Sequence, residues 1–442
     1  MRLNPPELFS RLNSSYWFVP LVVTLGGFGA AVLLLFLDSP ISLDQNGTLA
    51  LLRPGSAEGA RALLSAVIGA MITAISVTFS VTIVALTVAS QHFGPRVLNN
   101  FVRQTAAQVV LGTFMATFAY SVLVLGAIEG TGPGSDVPEL AVAGAVVLVV
   151  MSIGALIYYV HYVSTSLQIG EIAADMGTDL RGAIERLYPA DERPTGAELA
   201  PIPEAPPDAG EIPAEEPGYV QRIDYAAIAE AAGTRDAVVW IRREPGAFVV
   251  GGAPLALVHP PEACDAGLIE AVRHASIIGR DRTLWQDPEF AVKQLVEVAL
   301  RALSPGVNEP FTAVTCIDRL TEGLACAATA PPPRTSWLDT AGHPRVFAQP
   351  QPFATLLHAA FDPIRIFAGT NPAIYARLLD AIVELVLVSI REDDKAQLRH
   401  QADVIRRTAD ASLADPDDRA YVESRYAHSM RQFGGQAAPT RK

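Results

Sequence analysis

The most constraining feature of this chain is a long apolar stretch near its N-terminus that is rich in hydroxyl side chains. Residues Ser65 to Ser90 contain neither a charged residue nor a proline. At about 1.5 Å per residue, a helix of this length exceeds the roughly 30 Å thickness of a bilayer hydrocarbon core. The stretch therefore predicts a transmembrane helix.

Hydroxyl side chains mark one side of this predicted helix. On a helical wheel, four of them fall together: Thr73, Ser76, Ser80 and Thr87. The hydroxyls of Thr78 and Thr82 fall nearly opposite. A hydroxylated side of a membrane helix either packs on a neighbouring helix or faces water. We take the four residues as pore-lining candidates and keep helix packing as the alternative.

Three further apolar stretches predict three more spans, at residues 17–37, 106–128 and 140–163. None of the four stretches contains Asp, Glu, Lys or Arg. Proton relays, voltage sensors and most ion-coupled carriers keep ionisable groups inside the membrane. Residues 1–163 thus predict a four-helix transmembrane domain without active transport, which leaves a passive pore or a plain anchor.

Flanking arginines predict the orientation of these spans. The N-terminal tail and the loop after the second span carry four of them: Arg2, Arg11, Arg96 and Arg103. The first loop carries Arg53 and Arg61, and the third loop carries no Lys or Arg. Because positive residues accumulate on the cytoplasmic side, both termini are expected there.

The rest of the chain reads as a cytosolic region with a mixed α+β domain. Residues 164–188 predict an extension helix that continues the fourth span and could pair with another copy. Residues 189–217 are rich in Pro and acidic residues and predict a partly disordered linker. Residues 218–262 predict short strands of a small β-barrel or sandwich, and residues 263–442 predict a mainly helical part.

Charged residues flank a helix predicted to begin at Pro288, after the N-cap Asp287. The candidates before and after it are Arg280, Asp281, Arg282, Asp287, Arg301, Asn308 and Glu309. These groups could bind a small anion or hold a subunit contact. They could equally form an internal salt-bridge network that fixes the helix pair.

Several classes of function are disfavoured. The chain has 46 acidic and 33 basic residues, and its net charge of −13 argues against nucleic-acid binding. The three cysteines form no CxxC pair and have no histidine at metal spacing. No nucleophile elbow, zinc-protease, Walker or dinucleotide motif is present. We therefore expect no enzyme activity, no cofactor and no metal.

Several motifs give the chain a recognisable pattern: FGPRVLNNF after the hydroxylated helix, then GYVQRID, GRDRTLWQDPEF and RALSPGVNEPFTAVTCIDRL. The pattern resembles the bacterial predicted membrane proteins of domain of unknown function 2254, over nearly the whole chain. Glu309 stands where that family is expected to have Asp. The resemblance implies an inner-membrane protein with four N-terminal spans and a cytosolic C-terminal domain, and it implies no reaction.

Two hypotheses of function follow. In the first, the chain forms a homo-oligomeric passive ion channel lined by the second span, with a cytosolic regulatory domain. In the alternative, it is a membrane-anchored ligand sensor or scaffold without transport activity. The expected partners are membrane lipid, further copies of the chain, and a small anionic ligand or ion.

Overall fold

A computed structural model describes residues 17–38, 56–93, 105–128, 137–166, 169–188, 196, 198–199, 201–349 and 351–434. The chain divides into two compact units, Met1–Gln168 and Ile169–Lys442. Each unit has its own buried apolar residues.

Within the described residues, the first unit consists of four helices: α1 Phe18–Asp38, α2 Ala57–Phe93, α3 Thr105–Ala127 and α4 Glu139–Ser166. All four are long and apolar enough to cross a membrane. The expectation of four apolar helices in the N-terminal region is confirmed.

Helix α2 starts eight residues before the predicted span, at Ala57 rather than Ser65. Its first turns carry Glu58 and Arg61. These charged residues mark where the apolar stretch begins, but the helix starts before them because Glu and Arg are good helix formers. The Arg61 guanidinium donates a 2.9 Å hydrogen bond to the carbonyl of Ile128, just after α3. A cation is favourable at that end of a helix.

Small residues allow the first unit to pack closely around α3. A Cβ atom added to Gly27 of α1 would clash with Ala116 of α3, and one added to Gly112 of α3 would crowd Pro20 and Val23. Such close approach is a common mode of helix association in membranes. Interior hydroxyls add polar contacts, because Thr117 Oγ1 and Ser152 Oγ lie 2.9 Å apart between α3 and α4.

The second unit begins with α5, Ile169–Leu187, which is amphipathic. Its apolar side, including Met176, Leu180 and Ile184, is buried. It packs on α8 (Pro288–Ala302) and α9 (Pro310–Thr329), and a Cβ atom added to Gly323 of α9 would clash with Leu180. The sequence suggested that this helix could pair with another copy of the chain. Its apolar side is instead covered by other helices of the same unit.

The described residues of this unit contain two β-sheets. The strands are β1 Gly210–Pro213, β2 Gly218–Ile223, β3 Val238–Ile241, β4 Phe248–Val249, β5 Pro254–His259, β6 Ser276–Gly279, β7 Ser336–Leu338 and β8 Pro344–Phe347. One sheet has the order β1-β5-β3-β8-β7, in which only β3 and β8 pair in parallel. The other is antiparallel with the order β4-β2-β6.

Helices complete the second unit. They are α6 Tyr225–Gly233, α7 Ala266–Ala275, α10 Phe353–Phe367, α11 Pro372–Val388, α12 Glu392–Ser412 and α13 Pro416–Gly434. One buried cluster joins apolar side chains of both sheets with those of α6 and α7. A domain of helices plus small mixed sheets is confirmed, whereas the barrel or sandwich arrangement is not.

The strands do not follow the predicted segment limits. Those of residues 218–262 are shared between the two sheets, and the remaining strands come from outside that range. Strand β1 lies in the predicted linker, where Gly210 to Pro213 pair with β5. Short strands of this kind are hard to recognise because long-range pairing, rather than local propensity, selects them.

Candidate functional site

The hydroxylated side of α2 is left open by the first unit. The four pore-lining candidates are all exposed in the single chain: Thr73, Ser76, Ser80 and Thr87. Each hydroxyl donates a hydrogen bond of 2.8–3.1 Å to the backbone carbonyl four residues earlier in the same helix. This local bond satisfies the hydroxyl donor without a partner from another helix. The structure thus brings the four residues to one face, and none of them is buried by the described residues of this unit.

The opposite side of α2 is buried and holds α4. Thr82 Oγ1 lies 2.6 Å from the hydroxyl of Tyr159, and Tyr159 also donates to the carbonyl of Thr78 at 3.1 Å. Thr78, Thr82 and Tyr159 are all buried. The wheel placed the two threonines on this side, but sequence reasoning did not find their partner. In the sequence, Tyr159 is only one of several aromatic residues near the end of the fourth apolar stretch.

At the start of α8, part of the charged cluster forms a compact ion-pair network. Arg282 binds both carboxylate oxygens of Asp287, with two hydrogen bonds of 2.7 Å, and also reaches Glu289 at 3.2 Å. Lys293 pairs with the other oxygen of Glu289 at 2.8 Å. Asp287 also caps the helix by accepting from the backbone N–H of Phe290 at 3.0 Å. Such bidentate pairing fixes the arginine in one geometry.

The network is largely enclosed by protein. The Asp287 side chain is 1% exposed, and the Arg282 side chain is 18% exposed. Burial raises the pKa of the Asp287 carboxyl, and the hydrogen bonds and charge of Arg282 oppose that rise. Arg282 occupies both carboxylate oxygens of Asp287, and Asp287 caps α8. The main role of the pair is therefore to hold the start of α8 in place.

The other candidates lie apart from this pair. Arg280 and Asp281 are exposed on the loop before α8, where the Asp281 carbonyl accepts from Gln221 Nε2 at 2.7 Å. Arg301, Asn308 and Glu309 belong to the opposite end of α8, about 22 Å away for a helix of this length. The seven candidates therefore form two groups and do not converge on one site.

The turn after α8 is built by its backbone. Asn308 has a φ of +52°, a conformation that asparagine tolerates better than most residues. The Glu309 N–H donates to the carbonyl of Ala302 at 2.8 Å, and the Glu309 carboxylate accepts from the Thr312 hydroxyl at 3.2 Å. Across the described part of the chain, no group of three or more His, Cys, Asp or Glu side chains is arranged to hold a metal ion.

Together, the four apolar helices and the α+β unit that follows define a multi-span membrane protein with a folded C-terminal domain. Residues 13–384 match the family described as predicted membrane protein (DUF2254). The chain belongs to this family, as the sequence motifs indicated.

Curated relatives occur in mycobacteria. Uncharacterised proteins of Mycobacterium bovis and Mycobacterium tuberculosis are 32% identical to this chain over 421 residues. The match covers 93% of this chain and 79% of each relative. No solved structure matches this chain.

Proposed function

We propose that this membrane protein assembles from several copies into a passive ion channel, with the hydroxylated side of α2 along a shared central path. The observation that carries the proposal is the exposure of Thr73, Ser76, Ser80 and Thr87 on the single chain. Four hydroxyls on one open face suit a second copy or a water-filled path better than lipid alone. The second unit would then act as a regulatory domain.

The chemistry of α2 supports a passive path. Hydroxyl oxygens replace part of the hydration shell of an ion without the strong binding that a charged ring provides. Apolar residues between them, such as Val77 and Val84, would gate the path by excluding water. Since the apolar part of α2 carries no ionisable side chain, the helix offers no proton relay for active transport.

We further propose the bacterial inner membrane as the location, with both termini in the cytoplasm. The mycobacterial relatives support a bacterial membrane. The orientation rests on the distribution of arginines along the sequence, and Arg2, Arg11, Arg53, Arg96 and Arg103 lie outside the described residues.

The channel is tested by adding bulk to the proposed path. Ser80→Trp should abolish the conductance of the full chain reconstituted in planar bilayers, because an indole would fill a narrow path. Val150→Trp is the matched control, since Val150 on α4 is also exposed, at 63%, but does not belong to α2. It should leave the conductance unchanged.

Two results would reject the channel. One is an absence of conductance in wild-type protein that is shown to be folded and inserted. The other is an equal current in wild-type protein and Ser80→Trp. Either would leave the alternative, a membrane-anchored sensor or scaffold.

A further inference from the structure

The second unit contains a partly open cavity that none of the sequence motifs predicted. Its volume is about 190 Å³, and its walls come from the end of α5, the start of α6, the loop after β3, β7 and the loops around it. At about 30 Å³ per water molecule, it would hold about six waters or one small organic molecule. We call it the aromatic cavity.

A stacked pair of rings forms one wall of the aromatic cavity. The rings of Tyr225 and Trp337 lie nearly parallel, at 14°, with their centroids 3.9 Å apart. Both residues line the cavity, as do prolines on neighbouring loops. The wall is thus flat, apolar and held by packing. Aromatic surfaces of this kind also attract cations.

Two hydrogen-bond acceptors in the cavity have no partner. Among the described residues, the Glu244 carboxylate makes no hydrogen bond or ion pair, although it lines the cavity and is only partly exposed. The Oε1 atom of Gln351 is buried and accepts no hydrogen bond from any described residue. A buried acceptor without a donor costs free energy, so a donor at the buried Gln351 Oε1 would be favourable. The partly exposed Glu244 carboxylate can accept a donor from the same ligand.

The two arginines that line the cavity, and the Tyr188 hydroxyl beside them, are already engaged. Arg186 donates to the carbonyls of Trp285 and Leu284, at 2.9 and 3.0 Å. Arg334 pairs with Glu198 at 3.2 Å, and the Tyr188 hydroxyl donates to the backbone carbonyl of Gln351. Of the three charged side chains that line the cavity, Arg186 and Arg334 thus have partners among the described residues, and the Glu244 carboxylate is left to accept a donor beside the ring surface.

The electrostatics of Glu244 agree with this geometry. Burial raises the pKa of the Glu244 carboxyl, and the nearby charge of Glu289 raises it further. A cation bound beside Glu244 would offset both effects.

We propose that the aromatic cavity binds a small organic cation with N–H donors, an ammonium or a guanidinium group. The cationic group donates to Glu244 and to Gln351 Oε1, and the apolar part of the ligand lies against the Tyr225–Trp337 pair. An anion would meet the unpaired carboxylate of Glu244, whereas the Arg186 guanidinium is held by two backbone carbonyls and the Arg334 guanidinium by Glu198. This inference goes beyond the proposed channel and does not depend on it.

Benzylammonium is a suitable probe, because its neutral isostere, benzyl alcohol, has nearly the same size and shape. Titration calorimetry uses the full chain in detergent at about pH 7.5, where the probe is charged. We expect benzylammonium to bind about tenfold or more tightly than benzyl alcohol, as a charge-assisted hydrogen bond requires.

Glu244→Gln keeps the shape of the side chain and removes its charge. It should weaken benzylammonium binding about tenfold or more and leave benzyl alcohol binding unchanged. Glu216→Gln is the matched control, since Glu216 is exposed and lies outside the cavity lining. It should bind both probes as wild-type protein does.

Acidification provides a second test that needs no variant. Lowering the pH to about 5 protonates part of the Glu244 population, whose pKa is raised, and should weaken benzylammonium binding. Burial raises the pKa of Tyr188 to about 12 and also raises that of Tyr225, so neither titrates in this range. Other charged groups at or near the cavity among the described residues include Arg186, Arg334 with its partner Glu198, and Glu289. Arg391 and Asp394 act on Tyr188, and burial raises the pKa of the Asp394 carboxyl, so its titration also belongs to the pH series.

Three results would overturn the proposal. They are an absence of benzylammonium binding to wild-type protein, equal binding of the charged and neutral probes, and unchanged binding in a folded Glu244→Gln variant. If that variant does not fold, the comparison of the two probes and the pH series on wild-type protein decide alone.

Discussion

At the scale of single residues, the Arg282–Asp287 pair shows how a charged motif can be structural. Arg282 occupies both oxygens of a carboxylate that is almost fully buried and that also caps α8. Removing one partner of such a pair leaves an uncompensated charge in the interior, which is much more costly than the loss of a surface pair. The motif was visible in the sequence, but burial, which decides its role, was not.

Arg282→Ala should destabilise the second unit by about 3–5 kcal/mol. Arg181→Ala, which removes a surface pair with Glu185, should lower the unfolding temperature much less, because both side chains are more than half exposed and water screens the pair. Thermal unfolding of both variants in detergent, beside wild-type protein, measures the difference. Equal shifts in the unfolding temperature would show that the Arg282 pair does not brace α8.

The backbone at Gly246 lies directly against the Arg282–Asp287 pair. Gly246 has a φ of +90°, and a Cβ atom there would clash with the carboxylate of Asp287. Gly252 has a similar φ of +83° but open space around it. Substitutions at the two positions therefore distinguish the cost of backbone strain from the cost of crowding.

Gly252→Ala should cost about 1–2 kcal/mol, from the left-handed backbone alone. Gly246→Ala should cost about 1–3 kcal/mol more, because the added methyl group also displaces Asp287. Unfolding temperatures of the two variants give the comparison. The crowding argument fails if Gly246→Ala is no less stable than Gly252→Ala.

At the scale of helices and strands, prediction succeeded for the membrane spans, because the surrounding bilayer dictates their apolar composition and length. A bilayer requires long apolar helices, so the four spans could be found from composition, with α1 and α3 matching to within about one residue at each end. The start of α2 was missed because Glu58 and Arg61 end an apolar run but not a helix. Strands such as β1 were missed because their partners lie far along the chain.

Contacts between helices depend on three-dimensional placement that no single stretch reveals. Tyr159→Phe should destabilise the first unit by about 0.6–1.7 kcal/mol, because it removes the hydroxyl that meets Thr82 and Thr78 between α4 and α2. Tyr158→Phe is the control, since the Tyr158 side chain is 52% exposed. Unfolding in mixed detergent micelles should separate the two variants, and equal stability would contradict the role given to Tyr159.

At the scale of the whole molecule, the two units differ in how much the sequence reveals. The first unit could be assigned to the membrane from its four apolar stretches. The aromatic cavity of the second unit could not be predicted, because Tyr225, Glu244, Trp337 and Gln351 are brought together from separate segments by tertiary folding. The charged candidates, in contrast, were obvious in sequence and fall into two separated groups.

The hydrogen bonds on the open side of α2 have one more consequence. The hydroxyl hydrogens of Thr73, Ser76, Ser80 and Thr87 all point back to their own helix. Only the oxygen lone pairs of these side chains are left to face outward. If this surface lined a pore, the four hydroxyl oxygens would interact favourably with cations such as potassium or sodium. Their hydrogens would not be available to bind chloride.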